Sequence, residues 1–312
     1  VGKTCPTLAI ANRKHIFPYV NKFPAQAADW AMSVFHNILV AVDGSPASLH
    51  ALKESFGLAG GTLAAIFVAP ASGPEPGLGA RPAAYWLDVQ TKALAAAAEL
   101  ARAAGVPLKT IAAQGEAHEG IVAAAEEEVS DLIVVGLKGR DLPPAALMGS
   151  TTARVIGFSP RNVLIVPESA GIGFKRLLLP TDGSRYSHQA TEEALRICRV
   201  SGGELVVLSV LDAPPGFVQE APEVAKDWLD TLQELTTRVQ RRAESQGIRC
   251  QTAVLSGSAY RIIVEQARKV GASLIVMGSH GRTGIKRLLM GSVTERVVGY
   301  APCPVLVVKR KK

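Results

Sequence analysis

The feature that most constrains this chain is an internal repeat. NILVAVDGS at 37–45 is answered by KRLLLPTDGS at 175–184, and IVVGLKGR at 133–140 by IVMGSHGR at 275–282. LMGS follows at 147–150 and again at 289–292, and each half closes on a short β-rich run, RNVLIVP at 161–167 and CPVLVVK at 303–309. Asp43 and Asp182 are 139 residues apart, whereas Gly136 and Gly278, like Gly149 and Gly291, are 142 apart. One period held to three residues across ordered blocks means a duplicated unit whose copies share a fold. The 312 residues are material for two domains of ordinary size. The expected division is an amino-terminal arm at 1–34, a first domain at 35–168 and a second at 174–312, with the polar, glycine-bearing ESAGIG at 168–173 as linker.

Within each half, short β-branched runs alternate with longer helical ones. Strands are expected near 37–42, 63–69, 108–113, 131–136 and 162–166, and again near 175–180, 204–211, 249–255, 273–278 and 304–308. Helices in the second half are expected near 186–199, 222–246, 259–270 and 292–299. Apolar runs of this kind with little polar alternation suit strands covered on both faces. The strand and helix alternation implies right-handed crossovers and a mostly parallel sheet, an α/β class. The Gly, Pro and Ala-rich segment 70–82 reads as a flexible excursion, and its counterpart at 212–222 is similarly punctuated. Both leave the carboxyl end of a strand, where open sheets bind ligands. The arm has no clean period, and a short helix around 25–32 is the one element it suggests.

The net charge of +7 raises the question of a nucleic-acid partner, but its distribution argues against one. Residues 1–34 carry +3 and the last four residues +4, so the body between them is neutral. No basic face for specific nucleic-acid recognition is implied, although a basic tail can touch an anionic surface weakly. Cys5, Cys198, Cys250 and Cys303 lack the close pairing of a zinc or redox motif. Cys198 and Cys250 lie in apolar-periodic segments and read as reduced and buried, which fits a cytoplasmic compartment. No apolar run reaches 18 residues, so no transmembrane segment is expected.

The chemistry-bearing element is a glycine-rich loop present once in each half: Gly136-x2-Gly139-x9-Gly149-Ser150 and Gly278-x2-Gly281-x9-Gly291-Ser292. Its first glycine closes a strand, where a side chain would keep a ligand from the backbone, and its second permits a tight turn. The closing Gly-Ser opens a helix, so Ser150 or Ser292 can cap it while free amides and the positive dipole end face an anion. This is neither the Walker loop nor the G-x-G-x-x-G fingerprint. A bare glycine turn with a helix cap is the alternative, weakened by the repetition of the whole arrangement.

These loops, each preceded by the first-strand Asp-Gly-Ser, resemble the ATP-binding branch of the universal stress protein family in its tandem form. The resemblance covers roughly 35–168 and 174–310. It implies two domains, each a five-stranded parallel sheet of order 3-2-1-4-5 with helices on both faces, joined by pairing of their fifth strands. It also implies ATP or AMP as ligand, with Mg if the nucleotide brings it. Asp43 and Asp182 are then placed at the adenine and ribose end. Gly115 and Gly257, in GEA and GSA, border the ribose. The loop glycines and Ser150 or Ser292 hold the phosphates. The likeness extends the candidate set to Arg140, Thr151, His280, Arg282, Gly284 and Val293. An Asx turn or helix cap is an alternative role for Asp43 and Asp182 and is compatible with ligand contact.

The two loops are not equivalent. The second carries Gly284, Lys286 and Arg287, where the first has Leu142, Pro144 and Ala145, beside Asp141 and Pro143. An aspartate near phosphate weakens anion binding and prolines remove amide donors. The second half is therefore the expected stronger nucleotide site, Lys138 and Arg140 compensating only in part. Neither half shows a catalytic set. His280 has no equivalent in the first half, and His15, His36, His50, His118 and His188 form no metal-ligand spacing. The expected activity is binding, with at most slow ATP hydrolysis. The alternatives are a structural or partner-binding protein whose loops have lost their ligand, and group transfer on the same scaffold, because a fold does not fix a function. Exposed fifth-strand edges invite pairing within the chain, and association of two chains into a homodimer stays open.

Overall fold

The computed structural model describes residues 34–70, 82–139, 146–213, 217–281 and 290–309. The suggested helix at 25–32 and most of the excursion at 70–82 lie outside the described residues. The first half runs β1 (Ile38–Ala41), α1 (Pro46–Glu54), β2 (Leu63–Ala69), α2 (Ala83–Ala103), β3 (Lys109–Gln114), α3 (Ala117–Glu127), β4 (Leu132–Gly136), α4 (Ser150–Phe158) and β5 (Asn162–Val166). The second half runs β6 (Arg176–Pro180), α5 (Arg185–Ser201), β7 (Glu204–Leu211), α6 (Phe217–Glu220), α7 (Pro222–Glu244), β8 (Cys250–Ser256), α8 (Ala259–Val270), β9 (Leu274–Gly278), α9 (Ser292–Tyr300) and β10 (Val305–Val308).

The strands fall within a residue or two of the apolar runs that mark them. One element goes beyond the sequence pattern: α6, a single turn inside the connection at 212–222. Pro222 stands at the start of α7, and Ala221 before it is driven out of helical geometry, with φ −137° and ψ 64°. A residue before proline is excluded from the helical region by the ring, so α6 and α7 cannot merge.

The described strands form one ten-stranded sheet of order β3-β2-β1-β4-β5-β10-β9-β6-β7-β8. Each half is parallel and has the order 3-2-1-4-5. The halves meet through β5 and β10, which pair antiparallel with Leu164 opposite Leu306. Period-two alternation sends Ile38, Val40, Leu177 and Leu179 to the face covered by α1, α2, α5 and α7, and Leu39, Leu178, Ile133 and Ile275 to the face covered by α3, α4, α8 and α9. At the junction, Leu164 and Leu306 join the first core while Val163, Ile165, Val305 and Val307 join the second. Both cores therefore run uninterrupted through the domain boundary, and the two edges are covered by each other.

Polar contacts fasten this junction. Arg196 on α5 pairs with Glu193 at 2.7 Å, donates to the Val34 carbonyl at 2.7 Å and lies 5.3 Å from the Phe35 ring centre. Asn162 accepts from the Lys309 amide at 3.0 Å, and the Lys309 ammonium reaches back to the Ile156 carbonyl at the end of α4. The linker is tied to α1, where His50 donates to the Ala170 carbonyl at 2.9 Å and Glu54 accepts from the Ile172 amide at 3.0 Å. A Cβ built on Gly299 of α9 would stand 2.9 Å from Leu147 Cβ, so the first half's glycine-rich loop rests directly on a helix of the second. No described helix is long and apolar enough to cross a membrane.

Candidate functional site

The site is assembled at the carboxyl ends of the strands, starting from Asp-Gly-Ser. Asp43 Oδ1 accepts from the Ser45 amide at 2.9 Å and from the Ser45 hydroxyl at 2.5 Å, while Ser45 Oγ accepts from the Ser48 amide at 3.2 Å and so caps α1. Asp182, Ser184 and Ser187 repeat the turn and cap of α5, at 3.0 and 3.2 Å. Each carboxylate thus closes an Asx turn through one oxygen. The other oxygen faces the loop: Cβ atoms on Gly139 and Gly281 would lie 2.8 and 2.9 Å from Oδ2 of Asp43 and Asp182. The loop's second glycine is small because the first-strand aspartate occupies the space beside it. Two motifs separated by about a hundred residues meet as one site.

The first glycine also has a close neighbour within the chain. A Cβ on Gly278 would meet Tyr186 backbone atoms at 2.8 Å, and one on Gly136 would meet Ala47 and Ser48 backbone at 3.1–3.2 Å. The chain's own α5 and α1 thus already demand a glycine there. The loop then closes on itself through Gly149 N to Leu137 O at 3.1 Å and Gly291 N to Ser279 O at 2.9 Å.

The role expected of Ser150 and Ser292 as helix caps is corrected. Both are first helical residues, and the cap positions are the extended Gly149 and Gly291, which have no side chain to cap with. First-turn amides of α4 and α9 consequently have no side-chain acceptor from the cap position. Thr152 and Thr294, two residues on, donate instead to the Gly136 and Gly278 carbonyls at 3.1 and 3.0 Å, tying helix to strand.

Gly115 and Gly257 take φ of 134° and 137°, a region that disfavours side chains, and their amides bond to the ends of β2 and β7 at Ala69 and Leu211. Their loops lead into α3 and α8, which also lack side-chain caps. His280 contacts Ser279 Oγ at 3.2 Å and its ring centre is 5.2 Å from that of Tyr186. Val293 packs against the core, and Thr151 is exposed. Arg140, Arg282 and Gly284, with Asp141, Leu142, Pro143, Pro144, Ala145, Lys286 and Arg287, lie outside the described residues.

In the first half these parts border a cleft of about 390 Å³. Its lining combines Asp43, Gly136, Lys138, Gly139, Gly149, Ser150 and Thr151, from the ends of β1 and β4 and the start of α4, with the apolar Val42, Phe67, Val68, Pro70, Trp86 and Val89. Sequence reasoning missed Ser48, Thr152 and Trp86. A signal for each existed in the repeat, since Ser48 and Ser187 share the offset of 139 and Thr152 and Thr294 that of 142, as do Trp86 and Trp228. Cys198 and Cys303 are buried, their thiols pushed up to about 12 by desolvation, whereas Cys250 is half-buried rather than buried, its thiol pushed up to about 11. Its strand is the outer edge of the sheet. Among the described residues no three metal-binding side chains lie together.

A model of the universal stress protein family matches residues 35–167 and 173–309. The chain is 40% identical over 144 residues to Universal stress protein MJ0531 of Methanocaldococcus jannaschii, covering 45% of this chain and 84% of that protein. It is 30% identical over 151 residues to Universal stress protein YxiE of Bacillus subtilis, covering 44% of this chain and 99% of that protein. Each relative therefore corresponds to about half of this chain. A universal stress protein from Archaeoglobus fulgidus shares the fold over 90% of this chain and 98% of its own, with a TM-score of 0.64 at 24% identity.

Proposed function

The chain belongs to the universal stress protein family, and we propose that it binds an adenine nucleotide, ATP or AMP, at the carboxyl end of each half-sheet. The observation that carries this reading is the first-half cleft, where Asp43, three loop glycines and the glycine-capped start of α4 converge beside an apolar wall. Its lining changes from the β4 side to the β2 side in the way a nucleotide changes from phosphate to base. Amides and a positive helix terminus suit phosphate, a carboxylate suits ribose hydroxyls, and the apolar wall suits a base. A volume of about 390 Å³ falls within the ordinary size of small-ligand clefts. Any Mg enters with the phosphates.

The second half is the tighter site in this reading, because its loop carries Lys286 and Arg287 where the first has Pro144 and Ala145, beside Asp141 and Pro143. The output is a change in packing across the β5–β10 junction, and hydrolysis is at most a slow accompaniment. Heat extraction of purified protein followed by identification of the released nucleotide tests the proposal, together with calorimetric titration of the stripped full chain. Recovery of ATP, ADP or AMP, with two binding events of unequal affinity, is expected. A stripped chain that shows neither heat of binding nor a thermal shift on adding adenine nucleotides refutes it. Two events of equal affinity refute the asymmetry alone.

A further inference from the structure

We propose that Trp86 is the base-recognising residue of the first cleft, an aromatic wall that makes this site prefer ligands carrying a flat heteroaromatic ring. The inference rests on the nucleotide reading above and goes beyond it by naming a residue and a selectivity. Trp86 stands in the first turn of α2, directly after the excursion that leaves β2, and its side chain lines the cleft with Phe67, Val68 and Pro70. Those neighbours belong to β2 and its carboxyl end, and β1 lies between β2 and β4, whose loop carries the amides that suit an anion. Tyr85 meets it edge-on, with ring centres 5.3 Å apart and planes at 81°. An indole braced by a neighbouring ring loses little freedom when a ligand packs on it, and every nucleobase offers a π-face for stacking.

The duplication carries a tryptophan in both copies. Trp86 and Trp228 are 142 residues apart, the offset of the loop glycines, in the first turn of α2 and the second turn of α7. Trp86 packs in part against the first core, and its half-buried side chain also lines the cleft. Trp228, 48% exposed, falls between Ala225 and Leu232 at the spacing of the buried stripe of α7. The two tryptophans are presented differently, since Trp86 is half-buried.

The test uses the full chain carrying Trp30→Phe and Trp228→Phe, in which Trp86 is the only tryptophan. AMP and ATP are expected to change its emission saturably, while tripolyphosphate and ribose 5-phosphate leave it unchanged. Calorimetry on the wild-type chain and on Trp86→Ala and Trp86→Phe reads affinity separately. Trp86→Ala is expected to weaken one of the two nucleotide-binding events by roughly tenfold, within the range for loss of an aromatic–base stack. Trp86→Phe is expected to keep most of that affinity, and tripolyphosphate binding to stay the same in all three. If nucleotides bind but Trp86 emission is flat and Trp86→Ala binds as tightly as wild type, the inference falls while the nucleotide reading stands. If Trp86→Ala weakens tripolyphosphate as much as AMP, Trp86 shapes the cleft and does not recognise the base, which also overturns the inference. If the wild-type chain binds no nucleotide, the functional reading fails and this inference with it.

Discussion

Replacing Gly278 by alanine separates two explanations of the loop's first glycine. A Cβ at this position would be 2.8 Å from the carbonyl carbon, carbonyl oxygen and Cβ of Tyr186, a distance side-chain carbons do not sustain. Tyr186 is the second residue of α5, whose start is fixed by the Ser184 cap and whose Ala190 and Ala194 are fully buried, so the helix cannot move away cheaply. Overpacking of this kind costs about 1–3 kcal/mol. In a unit of this size each kcal/mol lowers Tm by about 2–4 °C. Gly278→Ala should therefore melt about 2–12 °C below wild type in thermal unfolding followed by circular dichroism, with nucleotide removed. Gly136→Ala should show a smaller loss, since its nearest atoms are 3.1–3.2 Å away and a few tenths of an ångström of movement relieves them. If Gly278→Ala melts with wild type and its sole defect is weaker nucleotide binding, the close approach of α5 is not what this glycine serves.

Other expectations follow from the caps, the junction and the buried titratable groups. Ser184→Ala should cost about 1 kcal/mol in denaturant unfolding through the lost cap, and Ser45→Ala more, because Ser45 also bonds Asp43 Oδ1 at 2.5 Å. An equal cost would show that the Asp43 contact contributes nothing. Arg196→Ala removes the Glu193 pair, the Val34 carbonyl bond and the contact with Phe35, and should destabilise the chain by about 1–3 kcal/mol. Unchanged unfolding midpoints would refute this. Burial depresses the Lys309 ammonium to about 8, so between pH 8 and the ordinary lysine range the unfolded chain binds more protons than the folded one. Stability should thus rise with pH in that window for wild type relative to Lys309→Met, with the variant's advantage greatest below pH 8; parallel pH profiles would contradict it. Cys198 and Cys303, buried and with thiols pushed up to about 12, should resist alkylation at pH 8 until global unfolding, which mass spectrometry of labelled chains can follow.

The sequence by itself determined what depends on local pattern. Duplication was legible from block spacing, and the strands from five- to seven-residue apolar runs, because a strand buried on both faces must be apolar throughout. The pairing of β5 with β10 followed from the need to cover two edges together with the family likeness, but its antiparallel sense did not. Periodicity alone carried neither the strand order nor the register of Leu164 on Leu306.

Tertiary structure decided what each glycine and serine is for. Gly149-Ser150 signals a helix start, yet which residue caps depends on where the backbone turns extended, and that point is Gly149, at φ −67° and ψ 143°. Gly136 and Gly278 face α1 and α5, and Gly139 and Gly281 face Asp43 and Asp182, neighbours almost a hundred positions away in the chain. Trp86 joins the cleft only when α2 folds back over the end of β2. A sequence displays its periods and its turns. Contacts between residues far apart along the chain exist only once the sheet has brought them within a few ångströms, and it is there that the Asp-Gly-Ser turn and the glycine-rich loop become a single site.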